Sequence, residues 1–238
     1  MAEKDFQSNQ SKHLQVIAIL GGTGKEGPGL ALRWASVGYP IIIGSRQLEK
    51  ARATALELNA TLSNLEKDFI PVRGLENSVA ARQAELCVLT VVQTAHQAAL
   101  ESLRNDLQGR ILVDATARVD FRDPKPPPPP AAARTAQNIL GTGVRVVAAF
   151  QNVPAHSLKK NPGGELNAEV LVCADDPGAA EQVIMLSNAG GMQAYYAGGL
   201  DNAVVVEGLT SLLISINQHY SIKNASIQVS GIQKDETV

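Results

Sequence analysis

The chain has 238 residues, a formal net charge of −2, 45% hydrophobic and only 4% aromatic residues. That length suits one large domain, alone or with a small appendage, and buries a core without covalent staples. The near-neutral balance excludes a global electrostatic pull towards nucleic acid or an anionic membrane surface. Two cysteines, Cys87 and Cys173, each inside an apolar run, read as core residues and not as a disulfide framework or a metal site.

Residues 1–13 are polar, lack the apolar core of a signal peptide, and are expected to form a disordered tail. Apolar stretches read as too short to span a bilayer, so a soluble cytoplasmic protein with no membrane partner is expected. The pattern then predicts strands near 15–20, 40–44, 69–73, 85–92, 110–115, 145–150, 169–174 and 193–197. Helices are predicted near 26–37, 47–59, 77–83, 94–107, 131–139, 177–189 and 203–219. Several strands are continuous apolar runs such as "VIAIL" and "CVLTVV", which suits strands covered by helices on both faces. Short links between alternating strands and helices give right-handed βαβ units, hence an α/β doubly wound parallel sheet. Residues 14–155 should form the larger unit and 156–238 a smaller C-terminal α/β portion. Between the fifth strand and the next helix, "DPKPPPPP" (123–130) can be neither helix nor central strand. It reads as a stiff polyproline excursion, a surface loop with a lid or docking role as the functional alternative.

The first strand runs into "GGTGKEG". Gly22, Gly24 and Gly27 give G-x-G-x-x-G between a strand and a helix. The first glycine allows a tight turn, the second lets backbone approach a pyrophosphate, and the third lets the helix pack on the sheet. The helix N-terminus then offers free N–H groups and a positive dipole end. Pro28 suits a first helical turn. The fold is therefore Rossmann-type and the ligand a dinucleotide. Strand two ends in Gly44-Ser45-Arg46, where an NAD site usually has an acid. An acid would repel a 2′-phosphate; a hydroxyl and a guanidinium would hold one. Lys50 follows one helical turn after Arg46. The cofactor read from these residues is NADP(H).

The run "ILGGTGKEGPGLALRWASVGYPIIIGSR" resembles the start of the NADPH-dependent reductases of coenzyme F420, an 8-hydroxy-5-deazaflavin. "CVLTVV", "VVAAFQNVPA", "VCADD" and "GGLDNAVVVEGLTSLLISIN" resemble later motifs of that family in the same order, so the likeness covers most of residues 14–220. It implies hydride transfer between NADP(H) and the deazaflavin, with no metal and no protein nucleophile. By the same resemblance, Thr23, Gly24, Lys25 and Glu26 would line the pyrophosphate loop. Ser45, Arg46 and Lys50 would take the 2′-phosphate, and Thr90 and Val91 would lie along ribose and nicotinamide. Gln151, Asn152, Val153, Pro154 and Ala155 would lie where nicotinamide meets deazaflavin, and Leu200 and the start of the last helix would help wall the deazaflavin pocket.

The residues themselves leave open another acceptor ring on the same scaffold (a flavin, a quinone or an imine), or a non-catalytic NADP(H) sensor. His96, His156 and His219 have no metal-ligand spacing and read as surface or hydrogen-bonded histidines, with His156 notable for following the "QNVPA" segment. Residues 203–217 are apolar nearly all round, so the helix should be buried on most faces, under the sheet or in a homodimer interface. Glu207 within it needs an ion-pair partner or a pocket.

Overall fold

The computed structural model describes residues 14–65 and 68–232; the expected disordered tail, 1–13, lies outside them. The chain alternates as the apolar runs predict: β1 (Ile17–Leu20), α1 (Gly27–Ala35), β2 (Ile41–Ser45), α2 (Leu48–Ser63), β3 (Arg73–Glu76), α3 (Asn77–Gln83), β4 (Leu86–Leu89), α4 (Gln93–Leu103), β5 (Ile111–Asp114), α5 (Ala132–Leu140), β6 (Arg145–Ala148), β7 (Val170–Ala174), α6 (Pro177–Ala189), β8 (Ala194–Tyr196), a 3-10 turn (Leu200–Asn202) and α7 (Ala203–His219). The strands form one sheet in the order β3-β2-β1-β4-β5-β6-β7-β8. All pairs are parallel except β6 with β7. The portion after residue 156 thus continues the same sheet through its one antiparallel join.

The sheet has a core on each face, and the side-chain alternation of each strand divides residues between them. Ile17 and Ile19 face one core with Trp34, Val88 and Val147. Ala18 and Leu20 face the other with Cys87, Leu100 and Ala136. Both faces are covered, which is why the strands read as unbroken apolar runs. The chain reverses direction across the sheet between β1 and β4, the place where doubly wound sheets open a crevice beyond the strand C-termini.

The third strand corrects the reading from sequence. The apolar run 69–73 is not its body; the ladder runs from Arg73 to Glu76 beside β2. Pro71 has no N–H to give a ladder. The backbone of Val72 is satisfied by one side chain instead: its N–H donates to Asn59 Oδ1 (2.8 Å), and its carbonyl accepts from Asn59 Nδ2 (3.0 Å).

Helix α7 is longer and more apolar than the expectation of short apolar stretches allowed. With the 3-10 turn it spans 20 residues at a mean hydropathy of 1.2, long and apolar enough to cross a membrane by length and composition, yet only 33% of that window is buried. Ala203, Val206 and Leu213 pack inward, while Val205 (66%) and Leu212 (55%) are exposed on the other side.

Candidate active site

The glycine turn is built by close packing. Gly21 adopts φ +68, a left-handed conformation that favours glycine. The Gly22 N–H donates to the Gly44 carbonyl (2.9 Å), tying the turn to β2. A Cβ on Gly27 would lie 2.7 Å from Gly22 Cα, so helix and turn touch backbone to backbone. A Cβ on Gly24 would meet nothing nearer than 3.9 Å. Two glycines therefore serve packing, and Gly24 alone faces open space that a phosphate could occupy.

That space belongs to a cavity of about 760 Å³ above the C-terminal ends of β1, β4 and β5. It is large enough for a drug-sized ligand or two stacked rings. Gly24, Lys25 and Glu26 line one side, Thr90 and Val91 the next, and Gln151, Asn152, Val153, Pro154 and Ala155 the far side. Ten residues singled out in the sequence thus share one cavity. Gly22, Thr23 and Gly27 of the same turn do not line it. Ser45, Arg46 and Lys50 sit outside, at the tip of β2 and the start of α2, with Arg46 and Lys50 exposed. Among the described residues, neither of those two cations makes a salt bridge. Leu200 does not reach the cavity: it is fully buried in the core on the α5 and α7 face, among Cys173, Ala203 and Val206.

The segment after β6 is held in a strained turn. Phe150 has φ +77, which costs a non-glycine residue about 1–3 kcal/mol. Packing outweighs that cost: Phe150 is fully buried edge-on against Trp34, with centroids 5.7 Å apart. Trp34 is itself fixed by its indole N–H donating to the Leu186 carbonyl (2.9 Å). The turn presents Gln151 and Asn152. Gln151 Nε2 donates to the Asp114 carbonyl (2.8 Å), and Asn152 Nδ2 donates to the Glu169 carbonyl (2.6 Å). Gln151 Oε1 and Asn152 Oδ1 remain without a partner among the described residues. A buried acceptor left open is costly in a core and expected beside a ligand that brings N–H donors.

Beneath the cavity floor lies a charged cluster that the sequence did not reveal. Asp114, fully buried at the end of β5, pairs with His96 Nε2 (2.6 Å) on α4. Its other oxygen accepts from the Thr116 N–H (3.0 Å). Burial opposes a charged imidazole, but the hydrogen bond and charge of Asp114 outweigh it and raise the His96 pKa, with Glu207 adding and Arg118 opposing. Glu26 is half-buried on the cavity wall. Burial, and then the nearby Asp114 carboxylate, push its carboxyl up to about 8.

Glu207 has both a partner and a task. Its Oε2 accepts from Arg118 (2.7 and 2.9 Å), and its Oε1 accepts from the Ala132 N–H (2.6 Å). Burial nevertheless raises its pKa, against those hydrogen bonds. Arg118 reaches on to the Pro128 carbonyl (3.0 Å), while Ser211 and Gln218 of α7 hold the carbonyls of Lys125 (2.7 Å) and Phe121 (2.9 Å). The proline-rich loop is therefore strapped along α7, and Val119 and Phe121 ahead of it line the cavity. Thr210, Leu213 and Ile214 line it from α7, and Lys223 and Ala225 from the segment after it. The resemblance pointed to the start of this helix; the lining comes from further along it, at Thr210, Leu213 and Ile214. His156 lines the cavity and is exposed; His219 is an exposed helix end.

Comparison with known proteins agrees with the motifs. Residues 16–118 match the family described as NADP oxidoreductase, coenzyme F420-dependent. The F420-dependent NADP reductase of Methanothermobacter marburgensis is 38% identical over 224 residues, covering 91% of this chain and 98% of the relative. That of Methanocaldococcus jannaschii is 36% identical over 230 residues, covering 91% and 99%. The crystal structure of a putative F420-dependent NADP reductase from Arthrobacter sp. FB24 superposes with a TM-score of 0.71 at 26% identity, over 90% of this chain and 99% of that one. With such identity sustained along nearly the whole length of each relative, the chain belongs to the family of F420-dependent NADP reductases.

Proposed function

We propose that this protein transfers hydride between NADP(H) and coenzyme F420, the two rings meeting in the cavity between the glycine turn and the Gln151–Ala155 segment. The observation that carries the reading is the continuity of that cavity from Gly24 to Pro154 in a chain of this family. The open face of Gly24 and the start of α1 suit a pyrophosphate. Ser45, Arg46 and Lys50 are assigned to the 2′-phosphate, and the exposed cationic heads of Arg46 and Lys50, without a salt bridge among the described residues, support that assignment. Thr90, Val91 and Ala155 would lie along the nicotinamide riboside, and Gln151, Asn152, Val153 and Pro154 along the deazaflavin. Leu213 and Ile214 take the wall position expected of Leu200.

When bound, the two cofactors supply the hydride chemistry. The protein's residues have to stack the rings at near-contact distance, about 3–3.5 Å between reacting carbons, and exclude water. The apolar walls from Val91, Val153, Leu213 and Ile214 serve that end. The exposed Val205 and Leu212 on α7 suit a homodimer interface. Cys87 and Cys173, both free and buried, suit a reducing cytoplasm.

The test is to mix protein, NADPH and oxidised coenzyme F420 and follow the deazaflavin's visible absorbance. Rapid bleaching with NADPH and much slower bleaching with NADH is expected. Absence of bleaching by protein that binds NADPH would move the reading to another acceptor or to a sensor.

A further inference from the structure

We propose that Arg33 is a positioning residue for the reaction: from behind the cavity wall it holds the segment around Pro154 at the spacing from the dinucleotide that hydride transfer requires. The inference rests on the hydride-transfer reading above. Pro154 lines two cavities, the large one and a second of about 210 Å³. At this residue the wall therefore has open space on both sides. Residues 149–169, between β6 and β7, form neither helix nor strand that could stiffen it.

Helix α1 holds the segment instead. A Cβ on Gly29 would stand 2.5 Å from Leu158 Cβ, so the segment rests directly on the helix backbone there. One turn further on is Arg33, fully buried. Its Nη1 donates to the carbonyls of Gly164 (2.8 Å) and Gly190 (3.0 Å), and its Nη2 donates to the carbonyl of Lys160 (3.0 Å). Among the described residues no carboxylate pairs with it. A buried charge needs compensation. Carbonyl dipoles supply it here, and Gly190 stands at the C-terminal end of α6, where the helix dipole favours a cation. One planar guanidinium thus pins two turns of the segment to the end of α6.

The pin reaches Pro154 through backbone hydrogen bonds. The Lys160 N–H donates to the Ser157 carbonyl (3.1 Å), and the Ser157 N–H donates to the Pro154 carbonyl (2.8 Å). On the other side of Pro154, the Val153 N–H donates to the Phe150 carbonyl (2.9 Å), and Phe150 packs on Trp34, the residue after Arg33. Neighbouring side chains of one helix therefore hold the wall from both sides. The opposite end of that helix is the one assigned to the pyrophosphate, so α1 sets the spacing between dinucleotide and ring wall. A misplacement of about 1 Å can cost about 100-fold in rate.

Two variants test this. Arg33→Lys keeps the charge but lacks the planar fork, and Arg33→Ala leaves room for a small cation beside the second cavity, which Arg33 lines. In single-turnover mixing of NADPH with oxidised coenzyme F420, both should transfer hydride at least about tenfold more slowly than wild type. Their Kd for NADPH, by fluorescence titration, should stay within about twofold, because the phosphate end is untouched. Guanidinium far below its denaturing range should restore part of the rate of Arg33→Ala, and potassium at the same concentration should not. In the ligand-free variants, hydrogen exchange should quicken at 154–164 and stay unchanged in the glycine turn. If neither variant folds, Ser157→Pro removes the middle N–H of the relay with Arg33 in place, and should slow transfer in the same way. Wild-type rates in the folded variants overturn the proposal. So does a slow variant whose NADPH affinity falls in step and which guanidinium does not rescue, since that marks a general loss of structure. Wild-type protein that never bleaches the deazaflavin overturns the hydride-transfer reading and the positioning role with it. Unchanged exchange at 154–164 in both variants instead overturns the pin alone, so the two failures are distinguishable.

Discussion

Replacing Gly24 and Gly27 separately by alanine should split binding from stability. At Gly27 the added methyl would sit 2.7 Å from Gly22 Cα and 2.8 Å from its carbonyl oxygen, both backbone atoms that no rotamer change can move. Overpacking of this kind costs about 1–3 kcal/mol. Alanine's helix preference over glycine returns at most about 1 kcal/mol. With a backbone clash this close the cost falls at the upper end of that range, and the net loss of about 2 kcal/mol or more lowers the Tm of a chain this size by at least about 4 °C. At Gly24 the methyl meets no atom nearer than 3.9 Å, so stability should change by less than about 0.5 kcal/mol. That methyl would stand where the pyrophosphate approaches, and NADPH should bind at least about tenfold more weakly, about 1.4 kcal/mol. Fluorescence titration with NADPH and thermal unfolding of both variants measure the two effects. Wild-type NADPH affinity in Gly24→Ala would refute the assignment of that open face to the phosphates.

Three further outcomes are expected. Arg46→Ala removes an exposed cation without touching the core, so losing a charged hydrogen bond should cost NADPH about 1.5–2 kcal/mol, about 10–30-fold in Kd; equal weakening of NADH in parallel titrations would refute the 2′-phosphate role. Glu207→Ala leaves Arg118 and the Ala132 N–H unpaired and should destabilise by about 2–4 kcal/mol, with faster hydrogen exchange in the 118–130 loop; unchanged exchange there would show that the ion pair does not fasten the loop. The His96–Asp114 pair should add stability fully below about pH 6.5, the ordinary histidine pKa, and lose it as pH rises through the raised value. Urea unfolding of wild type and His96→Gln should therefore differ more at pH 6 than at pH 9, and a gap that widens with pH would overturn that sign.

The glycine spacing was legible because local backbone geometry dictates it. Gly22 and Gly27 each answer a packing constraint within a few residues, with Gly24 between them left open, so the turn reads from sequence alone. The third strand was misplaced because an apolar run and a ladder are different things. Asn59, thirteen residues upstream of Val72, takes the backbone groups that a strand would have used. Leu200 was misassigned for a related reason: an apolar residue ahead of a pocket-lining helix can face either side, and it faces the α5 core.

The sequence by itself determined the alternation of elements, the dinucleotide turn, the cationic end of β2 and the family, since these depend on short-range pattern and ordered motifs. Tertiary structure alone decided which distant groups share one space. It set Asp114 between His96 and the Gln151 amide and joined Glu207 to Arg118 across 89 positions. It also decided which side of α7 the chain itself covers. Hydrogen bonds and charge interactions act over a few ångströms in space whatever the separation along the chain, so no local pattern records them.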